Sequence, residues 1–266
     1  MASRFHQLFK TARPLFGMLH LPPLPGSPHY AGKMQDAIDV ALYNTLVLSN
    51  SGFAGLVIEN LGDAPYYPDH VPAETIAAMS VVAAHVRQKT ELPVGINVLR
   101  NDAQSAIAIA AAANLQFIRV NVLTGTSVTD QGIISGQAYL VARKRQQLQA
   151  ENVLIFADIR VKHASSLVER DLAQEIDDLF ERALADAIIV SGTGSGKPVD
   201  ANFLRKVKKF AGERPVLIGS GLNLENAKEL LAVADGAIVG SSIKFDENIY
   251  ERIDGEKARR LRKIIQ

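Results

Sequence analysis

Near its end the chain reads Val216-Leu217-Ile218-Gly219-Ser220-Gly221 and then Ala237-Ile238-Val239-Gly240-Ser241-Ser242. Each stretch is an apolar run of the length of a buried strand, followed at once by glycine and serine. Glycine lets the backbone approach an anion closely, and successive backbone N–H groups at a helix start can donate to it. The last two strand–helix junctions are therefore predicted to bind a phosphate or a similar anion.

Further apolar runs of strand length precede these two along the whole chain. They lie at residues 14–19, 52–58, 93–99, 117–123, 153–159 and 187–190. Amphipathic segments follow the runs, at residues 34–48, 74–89, 103–113, 137–149, 172–185, 203–210, 224–233 and 256–265. This alternation predicts an α/β fold, a single (β/α)8 TIM barrel domain spanning residues 1–266. An open doubly wound sheet would normally show about five to seven strands and a ligand signature near its start.

Composition and charge narrow the classes of function. The length of 266 residues matches the roughly 250 that are typical of one such barrel. Lys and Arg (29) nearly balance Asp and Glu (28), so no overall positive charge favours nucleic acid, which is not expected as a partner. The chain contains no Cys, which excludes disulfides, a thiolate nucleophile and a cysteine metal site.

The expected location is cytoplasmic. Residues 1–10 are charged and polar where a secretory signal needs an apolar stretch of roughly 7 to 15 residues. The longest strongly apolar run, residues 106–113, is far shorter than the roughly 20 residues that span a bilayer. Any membrane contact is therefore expected to be peripheral. Because barrels commonly associate through their outer helices, a homo-oligomer is also expected.

Polar residues at the ends of the apolar runs are the candidates for chemistry, because barrel ligands bind at the C-terminal ends of the strands. The predicted catalytic residues are His20, Glu59, Arg119, Asp158 and Lys162. The predicted ligand-binding residues are Asn97, Asn121, Ser191, Gly192, Gly219, Ser220, Gly221, Gly240 and Ser241. A strand-end lysine suits a Schiff base, a carboxylate suits a general base, and His20 or the neighbouring His163 suits proton transfer.

Strand periodicity makes a geometric prediction for these side chains. Residues two apart on a strand point the same way, so Arg119 and Asn121 should face one side, and Asp158, Arg160 and Lys162 should form a stripe. The same charges also allow a different interpretation. The carboxylates of Glu59 and Asp158 can pair with the cations Arg119 and Lys162. They would then form a buried salt-bridge network that needs no ligand.

Two further segments are predicted to lie at the C-terminal ends of the strands, where the ligand is expected. Residues 192–197 are rich in glycine, but Ser191 replaces the first glycine of a Walker loop and Pro198 replaces its metal-binding Ser or Thr, so a flexible ligand loop is predicted instead. The glycine pattern of dinucleotide-binding loops is not matched either, because Lys197 occupies the position of its last glycine. Residues 123–136, rich in Thr and Gly, form the longest loop at this end and are predicted to act as a lid.

No metal site and no cofactor are predicted. His, Asp and Glu are scattered through the sequence without the close spacing of a zinc site. The pair Glu59 and Asp158 remains compatible with Mg²⁺ held through waters, which residue spacing does not exclude.

At these residues the sequence resembles the BtpA family, named for a photosystem I biogenesis protein of cyanobacteria. The resemblance spans essentially the whole chain. It rests on the two glycine segments and on residues 17–28 (GMLHLPPLPGSP), 95–102 (GINVLRND), 118–121 (IRVN) and 157–163 (ADIRVKH). The first of these segments is long and unusual, and therefore specific.

The resemblance implies a role in accumulation or stabilisation of photosystem I reaction-centre proteins. It also implies a peripheral position on the cytoplasmic face of the thylakoid membrane, with photosystem I assembly components as partners. Family members outside photosynthetic organisms, some of them associated with sugar metabolism, imply an enzyme-like ancestor. Two hypotheses follow: a biogenesis factor whose barrel mouth is regulatory or vestigial, and an aldolase-, isomerase- or lyase-like enzyme acting on a phosphorylated sugar or related metabolite.

Overall fold

The computed structural model of the chain describes residues 3–192, 194 and 196–265. Met1, Ala2, Thr193, Ser195 and Gln266 lie outside the described residues. Parts of the charged and polar segment 1–10 and of the predicted ligand loop 192–197 thus lie outside the described residues.

Within these described ranges, eight parallel strands close into a barrel in the order β1-β11-β10-β9-β7-β4-β3-β2. The barrel strands are β1 (Leu15–His20), β2 (Gly55–Glu59), β3 (Val94–Asn97), β4 (Phe117–Val120), β7 (Leu154–Ile159), β9 (Ala187–Val190), β10 (Val216–Ile218) and β11 (Gly236–Val239). The predicted TIM barrel is confirmed, and closure between β1 and β11 excludes the open sheet. All eight apolar runs became barrel strands because a parallel strand covered by helices is buried on both faces.

The helices alternate with these strands as predicted. They are α1 (Arg4–Leu8), α2 (Met34–Asn50), α3 (Ala73–Lys89), α4 (Ala103–Ala112), α5 (Ala138–Gln147), α6 (Leu172–Asp177), α7 (Ala201–Ala211), α8 (Ala227–Leu230) and α9 (Gly255–Ile265). Two are shorter than predicted: α6 passes into a wider π-helical turn at Asp178–Arg182, and α8 covers only one turn of the segment 224–233. Among the helices of the described part, none is long and apolar enough to cross a bilayer.

A cluster of phenylalanines fills the N-terminal end of the barrel. Phe5 and Phe9, from α1 and the residue just after it, pack against Phe16, Phe117 and Phe156 of the barrel strands. The rings of Phe117 and Phe156 are stacked with centroids 4.5 Å apart. Helix α1 was not predicted, because the five residues of Arg4–Leu8 are too short to show a helical period. Since this end is closed, a ligand can enter only at the C-terminal ends of the strands, which we call the barrel mouth.

The predicted lid loop has structure of its own. Residues Thr126–Thr129 (β5) and Gly132–Ser135 (β6) form an antiparallel hairpin, and Ala164–Ser166 (β8) pairs with the other edge of β5. Ile134 is fully buried in a small apolar cluster that includes Val122 and Val161. The segment is therefore a packed hairpin, and part of the segment after β7 folds onto it.

Candidate functional site

An ion pair between Arg119 and Asp158 lies at the centre of the barrel mouth. Arg119 Nε donates to Asp158 Oδ2 at 2.8 Å and its Nη2 to Oδ1 at 2.9 Å. The carboxylate also accepts bonds from Asn121 Nδ2 (3.3 Å) and Ser191 Oγ (3.0 Å). Burial alone would lower the pKa of Arg119, but the charges of Asp158 and Glu59 outweigh it and raise that pKa. Asp158 thus fixes the position of the guanidinium, and hydrogen bonds already occupy most of the lone pairs of its carboxylate.

The predicted ligand-binding asparagines form a chain that supports Asp158. Asn97 Nδ2 donates to Asn121 Oδ1 at 3.0 Å and to the carbonyl of Arg119 at 3.2 Å. Asn121 in turn donates to Asp158. Asn97 therefore orients Asn121. Asn121 in turn lines a cavity of about 750 Å³ at the barrel mouth.

Glu59 makes fewer close polar contacts than Asp158 does. It ends β2 with 3% of its surface exposed. Its Oε1 lies 3.7 Å from His20 Nε2, and its Oε2 lies 3.9 Å from Arg119 Nη1. Both distances exceed those of a good hydrogen bond. Neither contact therefore commits the Glu59 carboxylate to a close hydrogen bond.

His20 ends β1 beside Glu59 and is held in its neutral form. Burial lowers the pKa of His20 well below its usual value, and the positive charges of Lys244, Lys162 and Arg119 lower it further. A neutral imidazole can donate or accept one proton without adding charge to the site. A neutral His20 can therefore donate or accept a hydrogen bond in the deep part of the mouth.

Lys162 extends the polar cluster just beyond β7. Burial is the main cause that lowers the pKa of Lys162, with Arg119 adding to it and Glu59 and Asp158 opposing it. Arg100 Nη2 donates to the Lys162 carbonyl at 2.6 Å and fixes the backbone there. A buried lysine with a lowered pKa is the form of lysine that serves as a nucleophile or proton donor.

The predicted stripe of Asp158, Arg160 and Lys162 is wrong for its middle residue. Strand β7 ends at Ile159, and Arg160 adopts a positive φ of 48°, which interrupts the strand alternation. Its side chain turns outward and pairs with Glu175 at 3.1 Å. Arg160 is thereby removed from the cluster, and only Asp158 and Lys162 of the stripe belong to it.

Two neighbouring cavities open at the mouth. The smaller, which we call the deep pocket, has a volume of about 30 Å³, and the larger, the mouth cavity, has about 750 Å³. The predicted residues that line the deep pocket are His20, Glu59, Arg119, Lys162, Gly219, Ser220, Gly221, Gly240 and Ser241. Glu59, Lys162 and Ile249 line both cavities. The structure therefore brings the two glycine loops together with His20, Glu59, Arg119 and Lys162, whereas Asp158 lies behind Arg119 and lines neither cavity.

The glycine loops are packed too closely for side chains. Gly221 has a φ of +70°, and a Cβ there would lie 2.2 Å from the carbonyl oxygen of Lys197. A Cβ on Gly240 would lie 3.0 Å from His20 Cε1. Ser242 Oγ donates to the Leu222 carbonyl at 2.6 Å and joins the two loops. A short 3₁₀ helix, Ser241–Ile243, starts at the pocket, so the loops present backbone to it.

Two predicted ligand-binding residues support the pocket from behind. Ser220 Oγ accepts from Gly192 N at 3.0 Å and lies 3.4 Å from the Lys197 carbonyl, so its hydroxyl holds the loop after β9. Ser191 supports Asp158 as described. Ser191 and Gly192 themselves line a separate opening of about 690 Å³ that also contains Lys162.

The side chains at the barrel mouth offer few ligands for a metal ion. In the part of the chain that the structure describes, no three His, Asp or Glu side chains converge as metal ligands. The guanidinium of Arg119 contacts both Glu59 and Asp158, the pair whose spacing did not exclude Mg²⁺. Arg119 thus already supplies positive charge between these two carboxylates.

Sequence reasoning missed Lys244, which lies directly behind the site. It is 1% exposed, and its Nζ donates to the Ile249 carbonyl at 2.5 Å. Burial lowers the pKa of Lys244 to about 8, although the negative charges of Glu251 and Glu59 oppose the shift. The available signal was its position two residues after the second glycine loop, between Ile243 and Phe245.

The fold and site define a (β/α)8 barrel protein with a polar pocket at its mouth. Residues 11–266 match the family model described as "BtpA family", and the chain belongs to that family. It is 44% identical to an uncharacterized protein of Thermococcus kodakarensis over 94% of each chain. It is 42% identical to the "Photosystem I biogenesis protein BtpA" of Synechocystis, over 93% of this chain and 86% of that protein. An uncharacterized mitochondrial protein of Caenorhabditis elegans is 33% identical over 90% and 88% of the two chains.

Solved structures support the barrel. KGPDC from Streptococcus mutans superposes with a TM-score of 0.61 at 12% identity, covering 96% of this chain and 98% of that one. Thiamine phosphate pyrophosphorylase from Pyrococcus furiosus superposes with a TM-score of 0.56 at 15% identity, covering 97% of both. At such identities the likeness shows the fold alone.

Proposed function

We propose that the protein binds a phosphorylated small molecule at the barrel mouth and acts on it as an aldolase-, isomerase- or lyase-type enzyme. The observation that carries the proposal is the deep pocket, which joins the glycine loops to Glu59, His20 and Lys162. Loops after the last two strands are the usual phosphate site of this fold. The phosphate would bind at Gly221 and Ser241, and the rest of the ligand would extend into the mouth cavity.

The charges of the site support an anionic ligand. Arg119 and Lys162 line the deep pocket together with one carboxylate, Glu59, while Asp158 is engaged by Arg119. Lys244 adds positive charge from behind, since it acts on His20. A phosphate would compensate the positive charge that remains, and backbone N–H groups would bind its oxygens.

The catalytic roles follow from Glu59 and Lys162, which both line the deep pocket and the mouth cavity. Glu59 would remove a proton from a carbon next to the ligand carbonyl, and the Lys162 ammonium would donate one to the carbonyl oxygen. When that carbon carries a hydroxyl, the proton count balances and the product is an enediol. Lys162 also has the lowered pKa that Schiff-base formation with such a carbonyl requires.

Calorimetric titration with matched ligands tests the proposal. Ribose 5-phosphate and inorganic phosphate should bind, whereas ribose should bind at least tenfold more weakly. Ser241→Asp places a carboxylate beside the expected phosphate and should abolish binding. Ser165→Asp introduces the same charge at an exposed serine of β8 and should leave binding unchanged. If Ser241→Asp binds phosphate as well as the parent does, the glycine loops are not the anion site.

The second candidate is a role in photosystem I biogenesis, favoured by the 42% identity to the Synechocystis protein of that name. On this proposal the protein is cytoplasmic and peripheral on the thylakoid surface, with assembly components as partners. This role can be tested by expressing the chain in a Synechocystis strain that lacks its own BtpA-family protein. Restored reaction-centre protein, measured by immunoblot, would support the role, and no restoration from a well-expressed chain would contradict it.

The same strain separates the two candidates. Lys162→Ala and Glu59→Gln remove the proposed chemistry at the mouth. If both variants restore photosystem I as well as the parent chain, biogenesis does not depend on the barrel site. If neither does, the two roles share that site.

A further inference from the structure

A further cavity lies beside the mouth cavity and has no part in the proposed reaction. Its volume is about 230 Å³, and the loops after β1, β2 and β3 form its walls. Residues 26–28 of the unusual segment GMLHLPPLPGSP contribute to the lining. We call it the side cavity. Tyr66 and Leu99 line both it and the mouth cavity, so the two are neighbours across these side chains.

The proline-rich loop is held firmly in place around the side cavity. Gly62 N donates to the Leu21 carbonyl at 3.0 Å, and a Cβ at Gly62 would lie 2.4 Å from Pro23 N. Asp63 Oδ1 accepts a bond from Leu24 N at 2.8 Å. The cavity wall is therefore a preformed surface in which Asp63 joins two loops.

Asp63 brings a buried negative charge to the side cavity. The residue is 8% exposed, and its Oδ2 accepts a bond from Asn60 Nδ2 at 3.0 Å. Within residues 3–192, 194 and 196–265, no Lys, Arg or His forms an ion pair with it. Burial raises the pKa of Asp63, while the hydrogen bonds from Leu24 and Asn60 oppose that shift. A buried carboxylate without a counter-cation is costly, and a cationic ligand would relieve that cost.

The remaining walls suit the apolar part of such a ligand. Tyr66 and Tyr67 present aromatic rings, and Pro28, Pro65 and Val71 add apolar surface. The face of an aromatic ring attracts an ammonium or amidinium group. A carboxylate and aromatic rings around one cavity together form a chemical environment for an organic cation.

We propose that the side cavity is a binding site for the ammonium group of an organic amine, with Asp63 as its counter-ion and the two tyrosines against its apolar part. Nothing in the proposal depends on the phosphate site. A ligand that spans both cavities would pass Tyr66 and Leu99.

The test uses benzylamine and benzyl alcohol, which have the same shape and differ in charge at neutral pH. Ligand-observed NMR and calorimetry on the full chain should show benzylamine binding and benzyl alcohol binding at least tenfold more weakly. Asp63→Asn should weaken benzylamine binding about tenfold or more, since a charge-assisted hydrogen bond is lost. Equal affinity for the two probes, or for the parent and Asp63→Asn, would overturn the proposal.

Two more variants keep the test informative if Asp63→Asn folds poorly. Tyr67 is 54% exposed and Tyr139, on α5, is 60% exposed, so both tolerate truncation. Tyr67→Ala should weaken benzylamine binding several-fold, and Tyr139→Ala should not change it. Ser241→Asp should also leave benzylamine binding unchanged, which separates this site from the phosphate site. If Tyr67→Ala and Tyr139→Ala bind benzylamine equally, the side cavity is not the amine site.

Discussion

Arg119 on β4 and Asp158 on β7 form a two-point ion pair across neighbouring strands, with N–O distances of 2.8 and 2.9 Å. The strand register explains the contact, because Arg119 is paired with Phe156 and Asp158 lies two residues further toward the mouth on the same face. Both side chains are almost completely buried. The pair therefore both stabilises the barrel and fixes the guanidinium against the deep pocket.

Breaking this pair should destabilise the fold markedly. Asp158→Ala leaves a buried guanidinium without its partner, so the free energy of unfolding should fall by about 3–5 kcal/mol. Glu229→Ala is the control, because Glu229 pairs with Arg205 at 2.9 Å while 63% exposed. Such exposed pairs contribute about 0–1 kcal/mol. Urea unfolding of the three proteins measures the difference, and equal losses in the two variants would contradict the prediction.

The hairpin of β5 and β6 should depend on one buried side chain. Ile134 is fully buried, whereas its neighbour Ile133 is 62% exposed. Ile134→Ala should destabilise the hairpin by about 2–5 kcal/mol, and Ile133→Ala by less than about 0.5 kcal/mol. Hydrogen exchange followed by mass spectrometry should show faster exchange in residues 126–135 for Ile134→Ala only. Identical exchange in the two variants would mean that the cluster does not hold the hairpin.

Much of the barrel could be predicted from the sequence, because its strands are buried on both faces. Such strands appear as unbroken apolar runs, and the predicted strands at 187–190 and 216–218 agree with the structure at both ends. The paired glycine loops were predictable for a similar reason. Close backbone packing, as at Gly221, leaves no room for a side chain, so the chain needs glycine there.

The features that were missed depend on tertiary contacts or on single backbone angles. Half of the hairpin Thr126–Ser135 is Thr, Ser or Gly, and only the packing of Ile134 under it reveals a strand. Arg160 left the predicted stripe because of one positive φ. Lys244 could not be recognised as buried, since its burial depends on the return of the chain at Ile249 and Ile253. None of these leaves a periodic signal in the sequence.

Neutralising Glu59 should strengthen anion binding. Glu59→Gln keeps the shape of the side chain and removes the negative charge that lines the deep pocket beside Arg119. Inorganic phosphate should then bind about two- to tenfold more tightly, and the gain should shrink as salt is added. Calorimetry at low and high ionic strength measures both effects. Glu229→Gln, at an exposed position, should change neither. Weaker phosphate binding by Glu59→Gln would show that the anion does not bind near this carboxylate.

Lys244 should give the stability a distinct pH dependence. Its pKa of about 8 in the folded chain lies below the value of about 10.4 expected in the unfolded chain. Between these values the unfolded chain binds more protons, so the contribution of Lys244 to stability rises with pH, by about 3 kcal/mol in total.

Comparison with variants isolates this contribution above pH 8, because His20, whose pKa Lys244 lowers, is already neutral there in both proteins. The groups that act on Lys244 or respond to it, Glu59, Glu251 and His20, stay in place. The parent chain should therefore gain stability relative to Lys244→Met between pH 8 and about 10.4. Lys244→Gln keeps a donor for the Ile249 carbonyl but does not titrate, and the parent should show the same gain against it. Urea unfolding at a series of pH values provides the measurement. A difference between parent and variant that stays constant with pH would mean that Lys244 titrates as an ordinary lysine.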